Sequence, residues 1–320
     1  MSGALYVLHG ATLALAWWFA LNLAATGIVV LFAARVIGDE PARSPAFWLS
    51  VRLFPAAVSI TFVALVFLPS YWKYEPREMV EGFDVSLTAL AVLGVALLAT
   101  AVARGVLAWR RASRRTEAWL RLARPLQLHG TAMPAFEIDV DAPIMALVGV
   151  LRPRLLITRG VLDALTGEEL AAGVAHEIGH RRAWDNLKRL AMRAAPDLLC
   201  TSAVARAIEA RWASASEHAA DRLACDTGRA RCALASALVK VARLTPPITP
   251  IAEPISTLVD GGDIASRVQR LLEDGEPQTP RRRVTRPWLA IALPALVLAA
   301  YSPLLRIVHL ATEVLVRTLP

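Results

Sequence analysis

Thr166-Gly-Glu-Glu-Leu-Ala-Ala-Gly-Val-Ala-His-Glu-Ile-Gly-His180 dictates the architecture of the middle of this 320-residue chain. Thr166 followed three residues later by Glu169 is a capping box, so the spacing predicts a helix that starts at Gly167 and runs to about Arg182. Leu170, Val174 and Ile178 recur every four residues and give that helix one apolar face. At 3.6 residues per turn, His176 and His180 project from one side a turn apart, where both can reach a single metal ion. Glu177, beside them, can take a proton from a water held at the coordination position that two imidazoles and a third ligand leave open.

Zinc needs a third protein ligand, and downstream the candidate is Glu217 in Ser216-Glu217-His218-Ala219-Ala220-Asp221. Glu217 and Asp221 share a helical face, one placed to bind the metal and the other to accept a hydrogen bond from a ligand histidine. Two alternatives stand beside this. Ser214 and Glu217 can be read as a second capping box that leaves Glu217 solvated, and His218 can be read as the ligand, although helical geometry turns it about 100° away from Glu217.

Around this helix the chain is strongly apolar: 56% of residues are hydrophobic against 19% charged, with a mean hydropathy of +0.46. The excess lies in uncharged runs at 3–34, 53–72, 85–103 and 287–305, each near or above the roughly 20 residues a helix needs to cross a bilayer. The first is too long for a signal-peptide core and lacks a charged leader, so it is expected to remain as an anchor. Four crossings are expected: three helices within 1–109 (8–34, 47–72 and 85–109), and a fourth with a short outer tail in 287–320. Disorder, collagen and a disulfide scaffold are excluded, and Cys200, Cys225 and Cys232 read as reduced thiols. The net charge of +8 is mostly arginine beside apolar runs, a topology signal that argues against direct nucleic-acid binding.

Arg104, Arg110, Arg111, Arg114, Arg115, Arg121 and Arg124 follow the third run, and Arg281, Arg282, Arg283 and Arg286 precede the fourth. Positive charge stays inside, so residues 110–286 are expected in the cytoplasm, beneath the inner membrane, while the acidic loop 73–84 faces outward. Trp72, Trp109 and Trp288 sit at span ends, where amphipathic rings favour the headgroup layer.

The central region opens with an arginine-rich amphipathic helix to about Arg124, expected to lie along the anionic leaflet. Alternation at 136–140 and apolar runs at 144–150 and 154–158 predict about three strands. Helices are then expected after an Asp185 cap, at 216–227, 230–244 and 263–273, with Pro196 ending the first of these and a proline-rich loop at 245–254. The uncharged stretch 198–205 is too short to cross a bilayer. His9 and His309, in or near membrane spans, read as packed or interfacial side chains.

Val150-Leu-Arg-Pro-Arg-Leu-Leu-Ile-Thr158, the Glu-Glu-Leu before the histidine motif, Trp-Asp-Asn-Leu after it and the downstream Ser-Glu-His-Ala-Ala-Asp together resemble the BlaR/MecR-type antirepressor metallopeptidases. The resemblance implies a multi-pass α-helical membrane protein with a cytoplasmic α+β gluzincin-type zinc peptidase domain. It implies zinc on His176, His180 and Glu217, with Glu177 as general base and then acid and Asp221 behind the ligands. It also implies substrate added as an extra strand along about 146–151. The chain ends at Pro320 without the penicillin-binding sensor of well-known members, so a signal is expected through the outer loop, the spans or a separate sensor protein. The implied substrate is a cytosolic winged-helix repressor, or the enzyme itself. The alternatives are an HtpX-like quality-control protease, which the downstream motif fits equally well, and an inactive membrane scaffold, against which Glu177 argues.

Overall fold

A computed structural model describes residues 3–38, 43–76, 85–128, 131, 133–225, 227–244, 256–257, 264–273 and 289–318. The proline-rich loop 245–254, most of the outer loop 73–84, the arginine cluster 281–286, His129 and Trp288 lie outside the described residues. Among the described residues, three helical segments are long and apolar enough to cross a membrane, at Gly3–Ala33, Pro45–Tyr74 and Val85–Leu122, which marks a membrane-embedded protein. Their surfaces carry exposed Val7, Leu31, Leu65, Val92 and Val102, the apolar covering that lipid demands.

The first segment is α1 (Gly3–Gly38). The second starts at α2 (Pro45–Phe62), where Ser44 caps the helix and Pro45 occupies its first turn. It passes through a π turn at Val63–Phe67 into α3 (Leu68–Tyr74). Pro69 cannot donate to the carbonyl of Leu65, four residues back, and the Tyr301 hydroxyl donates to that oxygen instead, at 2.6 Å. The third segment is α4 (Val85–Leu122), 38 residues in one piece. The arginine-rich stretch expected as a separate helix on the leaflet is therefore the continuation of the third span. Gly94 lets α1 and α4 approach closely, since a Cβ there would lie 3.0 Å from the Leu15 carbonyl.

Among the described residues the sheet has five strands where about three were expected: β1 (Ala123–Leu126), β2 (Ala135–Ile138), β3 (Met145–Val148), β4 (Arg154–Thr158) and β5 (Ser256–Thr257), in the order β1-β2-β4-β3-β5. The β2–β4 pair is parallel and the other three described pairs are antiparallel. Met145, Leu147, Leu155 and Ile157 face one core and Ala146, Val148 and Leu156 the other, so β3 and β4 are apolar on both faces. The edge of β3 expected to receive substrate pairs with β5 through Ala146↔Thr257 and Leu147↔Ser256. A strand buried on both faces cannot leave its backbone groups unpaired, and here the chain itself supplies the partner.

The remaining helices are α5 (Arg159–Ala164), α6 (Gly167–Ala183), α7 (Asp185–Ala194), α8 (Ala203–Ala224), α9 (Gly228–Leu244), α10 (Ile264–Glu273) and α11 (Leu289–Thr318). The helix expected at 216–227 begins thirteen residues earlier, where Ser202 caps it. Ser214 is therefore interior to α8, and the second capping box does not form.

The domain is fastened to the bundle at two buried points. Asn22 of α1 donates to the Pro196 carbonyl (2.9 Å) and accepts from the Leu198 amide (3.2 Å), holding the short 3-10 turn Leu198–Thr201 against the membrane helices. Arg52 of α2, 1% exposed, reaches Asp197 and Glu209 at 2.9 Å each and the Met192 carbonyl at 2.8 Å. Trp48, Leu199, Ile208 and Trp212 pack around this junction.

Arg52→Ala leaves Asp197 buried without its cation, and the expected loss is about 3–5 kcal/mol. In detergent this reads as a fall of roughly 5–10 °C in the thermal midpoint. The combined variant Arg52→Met/Asp197→Asn/Glu209→Gln should recover part of the fall.

Candidate metal centre

The anchor of α6 is as the sequence predicts: Thr166 accepts from the Glu169 amide and the Glu169 carboxylate accepts from the Thr166 amide at 2.8 Å. The same carboxylate takes Ser236 at 2.6 Å and Lys240 at 2.8 Å, which ties the start of α6 to α9. Three turns along, His176, Glu177 and His180 are fully buried. α8 crosses α6 at Gly179, where an added Cβ would lie 3.1 Å from the Ala220 Cα. That contact brings Glu217, one turn before Ala220, over both imidazoles.

His176, His180 and Glu217 each turn one ligand atom into a space where all lie within 4.8 Å of one another. The two Nε2 atoms are 3.1 Å apart, Glu217 Oε2 is 3.3 Å from His176 Nε2, and Glu217 Oε1 is 3.4 Å from His180 Nε2. Ligands held about 2.0–2.1 Å from one tetrahedral ion lie about 3.3 Å apart, so the triangle has the dimensions a zinc ion requires.

Each ligand is steadied from behind. Asp221 lies 2.9 Å from His176 Nδ1, and Asp185 lies 2.8 Å from His180 Nδ1. Asp185 in turn accepts from Ser216 and lies 3.3 Å from Lys188. Arg267 of α10, 3% exposed, reaches Glu217 Oε2 with Nη1 at 2.9 Å and Asp221 with Nε at 2.9 Å and Nη2 at 2.6 Å.

Asp185 is not the helix cap expected from the sequence. Trp184, at φ 58°, turns the chain through the left-handed region between α6 and α7 and aims Asp185 back at His180. Asn186 donates to the carbonyls of Leu147 and Gly149 at 2.9 Å each, fixing this turn to β3. Arg267 carried no local signal, because it is one arginine on an ordinary amphipathic helix 46 residues from Asp221. His218 is turned away, with its Nδ1 3.0 Å from Arg270, and burial together with that guanidinium lowers it to about 4.

The electrostatics favour positive charge between the imidazoles. Burial depresses His180, yet Glu217 and the Asp185 hydrogen bond outweigh it and raise the ring to about 10. Burial acts the other way on Glu217, but the two imidazoles hold its carboxylate well below the usual range. Glu177 is pushed up to about 7 by burial, and among the described residues no group donates to either of its oxygens. Four carboxylates (Glu177, Asp185, Glu217 and Asp221) thus converge on one buried arginine and the half-exposed Lys188. With neutral imidazoles, a divalent cation brings the group to zero net charge. A pair of neighbouring-turn imidazoles and a carboxylate from a second helix form a group that could hold a metal ion, with the Glu177 carboxylate adjacent.

Residues 108–216, about a third of the chain, match Peptidase family M48. The matched segment includes His176, Glu177, His180 and Asp185 and ends one residue before Glu217. Among curated proteins none matches the chain. With this match the chain is a zinc metallopeptidase, a hydrolase of peptide bonds.

Asp185→Asn and Arg267→Gln should each weaken zinc binding about 10–100-fold in chelator competition, the usual cost of disturbing groups behind metal ligands. Gly179→Val should do likewise by pushing α8 off α6.

Acid stability reads a different part of the domain. Burial opposes ionisation of Glu169, but Lys240, Ser236 and the Thr166 amide hold it at about 2. A carboxylate lower in the folded than in the unfolded chain stabilises above about pH 4.3 and loses that contribution as pH falls toward 2. Glu169→Gln should therefore flatten the pH dependence of unfolding in that interval.

Proposed function

We propose that this protein is a membrane-bound zinc endopeptidase whose active site faces the cytoplasm and cleaves a cytosolic protein in response to a signal. The substrate we infer is a winged-helix transcriptional repressor, the enzyme itself, or both. The observation that carries the catalytic part is the His176–His180–Glu217 triangle with the unpartnered carboxylate of Glu177 next to it.

Held by His176, His180 and Glu217, zinc would supply Lewis acidity, polarising the scissile carbonyl and making water a better nucleophile. The rest falls to the side chains. Glu177 accepts the proton of the attacking water as oxygen bonds to the carbonyl carbon, and returns it to the nitrogen as the carbon–nitrogen bond breaks. Burial, which raises the Glu177 carboxyl, favours its acting as a proton carrier. Asp185 and Asp221 keep the imidazoles oriented, and Arg267 restrains Glu217. Arginine bias at both ends of the domain supports the cytoplasmic placement. The span layout and the resemblance to antirepressor peptidases support the signalling role. The pairing of Ser256–Thr257 with β3 favours the self-cleavage arm, because it sets a segment of this chain on the strand where the resemblance puts substrate.

Glu177→Ala should retain zinc and lose proteolysis by at least about 100-fold. Co-expression with a winged-helix repressor and with a destabilised membrane protein separates the substrate readings. One cut in the repressor, or one in the chain between α9 and α11, supports the proposal. Broad loss of the membrane protein supports an HtpX-like quality-control protease. Zinc-loaded protein that cuts neither would point to an inactive scaffold.

A further inference from the structure

The end of the bundle opposite the metal centre carries a second group of metal-type ligands. Residue 75 lies 23 positions beyond Arg52 along α2 and α3, about 34 Å at the helical rise, so the two ends are a membrane thickness apart. Glu75 closes α3 as its C-cap. There α11 runs against the bundle: Ser70 donates to the Leu305 carbonyl at 2.6 Å, Trp17 donates to Thr312 at 3.1 Å, and Val308 packs beside Tyr6 and Tyr71.

His309 and Glu313 stand one turn apart on α11, and with Glu75 they bring three ligand atoms within 4.8 Å of one another. The ring of Tyr74 stacks on His309 at 5.6 Å and 25°, which sets the plane of the imidazole. His309 Nδ1 faces Glu75 Oε2 at 3.7 Å, with the side chains 19% and 9% exposed. That distance is too long for a hydrogen bond. It is close to the roughly 3.3–3.7 Å that separates two ligands of one ion about 2.1 Å from each. Two carboxylates face the imidazole, and Arg306 is close enough to act on the Tyr74 ring stacked on it. The Lys73 ammonium is engaged with Ser302 at 3.5 Å and lies 5.1 Å from the Tyr74 ring centre. One nitrogen and two oxygens suit a divalent first-row ion of the zinc type.

We propose that Glu75, His309 and Glu313 form a second, non-catalytic site for such an ion, on the face of the membrane away from the peptidase domain. The ion joins residues 234 positions apart and pins α11 to the end of the second span. The site is independent of the peptidase reading.

Zinc titration of the full-length protein in detergent, with bound metal counted by elemental analysis, tests it. The wild type should hold two ions per chain. His309→Ala should hold one, and Glu313→Gln should weaken one of the two at least tenfold, since even groups behind a ligand are worth about that much. His176→Ala/His180→Ala should retain the outer ion alone, so failure at one site is read separately from failure at the other. Glu313→Gln keeps the side chain's size and decides the matter if His309→Ala does not purify. One ion in the wild type, abolished by His176→Ala/His180→Ala, would overturn the proposal. So would two ions untouched by Glu313→Gln.

Discussion

Everything in the peptidase domain depends on two helices touching without a side chain between them. Gly179 of α6 meets Ala220 of α8, and only that closeness lets one carboxylate approach both imidazoles within 3.4 Å. The contact is apolar and small, but what it juxtaposes is costly: four buried acidic groups and two imidazoles with one buried arginine between them. Arg267 bridges Glu217 and Asp221 so that neither of these carboxylates stands alone, while Glu177 has no donor among the described residues.

Much of this was legible in the chain, and the division follows the range of the interactions. α6 could be read to within a residue, because its capping box and the period of its apolar face are local. His176 could be paired with His180, and Glu217 with Asp221, because helical spacing fixes which side chains share a face. β1 and β5 left no pattern. Ala-Arg-Pro-Leu does not alternate, and a two-residue strand is too short to show a period, so both exist through their pairing, β1 with the next strand and β5 with distant β3. The early start of α8 did leave a signal, since Ala205, Ile208 and Trp212 recur at helical spacing among Arg206, Glu209 and Arg211. Asp185 looked like a cap until the left-handed turn at Trp184 redirected it.

The same distinction applies at the far end of the bundle. His309 by itself is an ordinary interfacial histidine, and Glu75 an ordinary loop acid. They become a candidate site only because α11 is laid against α3, which no spacing in the sequence announces.

α8 belongs to two structures at once. Glu209 is held by Arg52 of a membrane helix, and Glu217 on the same rod faces the imidazoles eight residues, or about 12 Å, further on. Such a rod is a lever: pivoting it by about 5° around Glu209 carries Glu217 roughly 1 Å, a displacement that in an enzyme can change the rate about a hundredfold. A lean of the second span that α8 followed would thus be felt at Glu217.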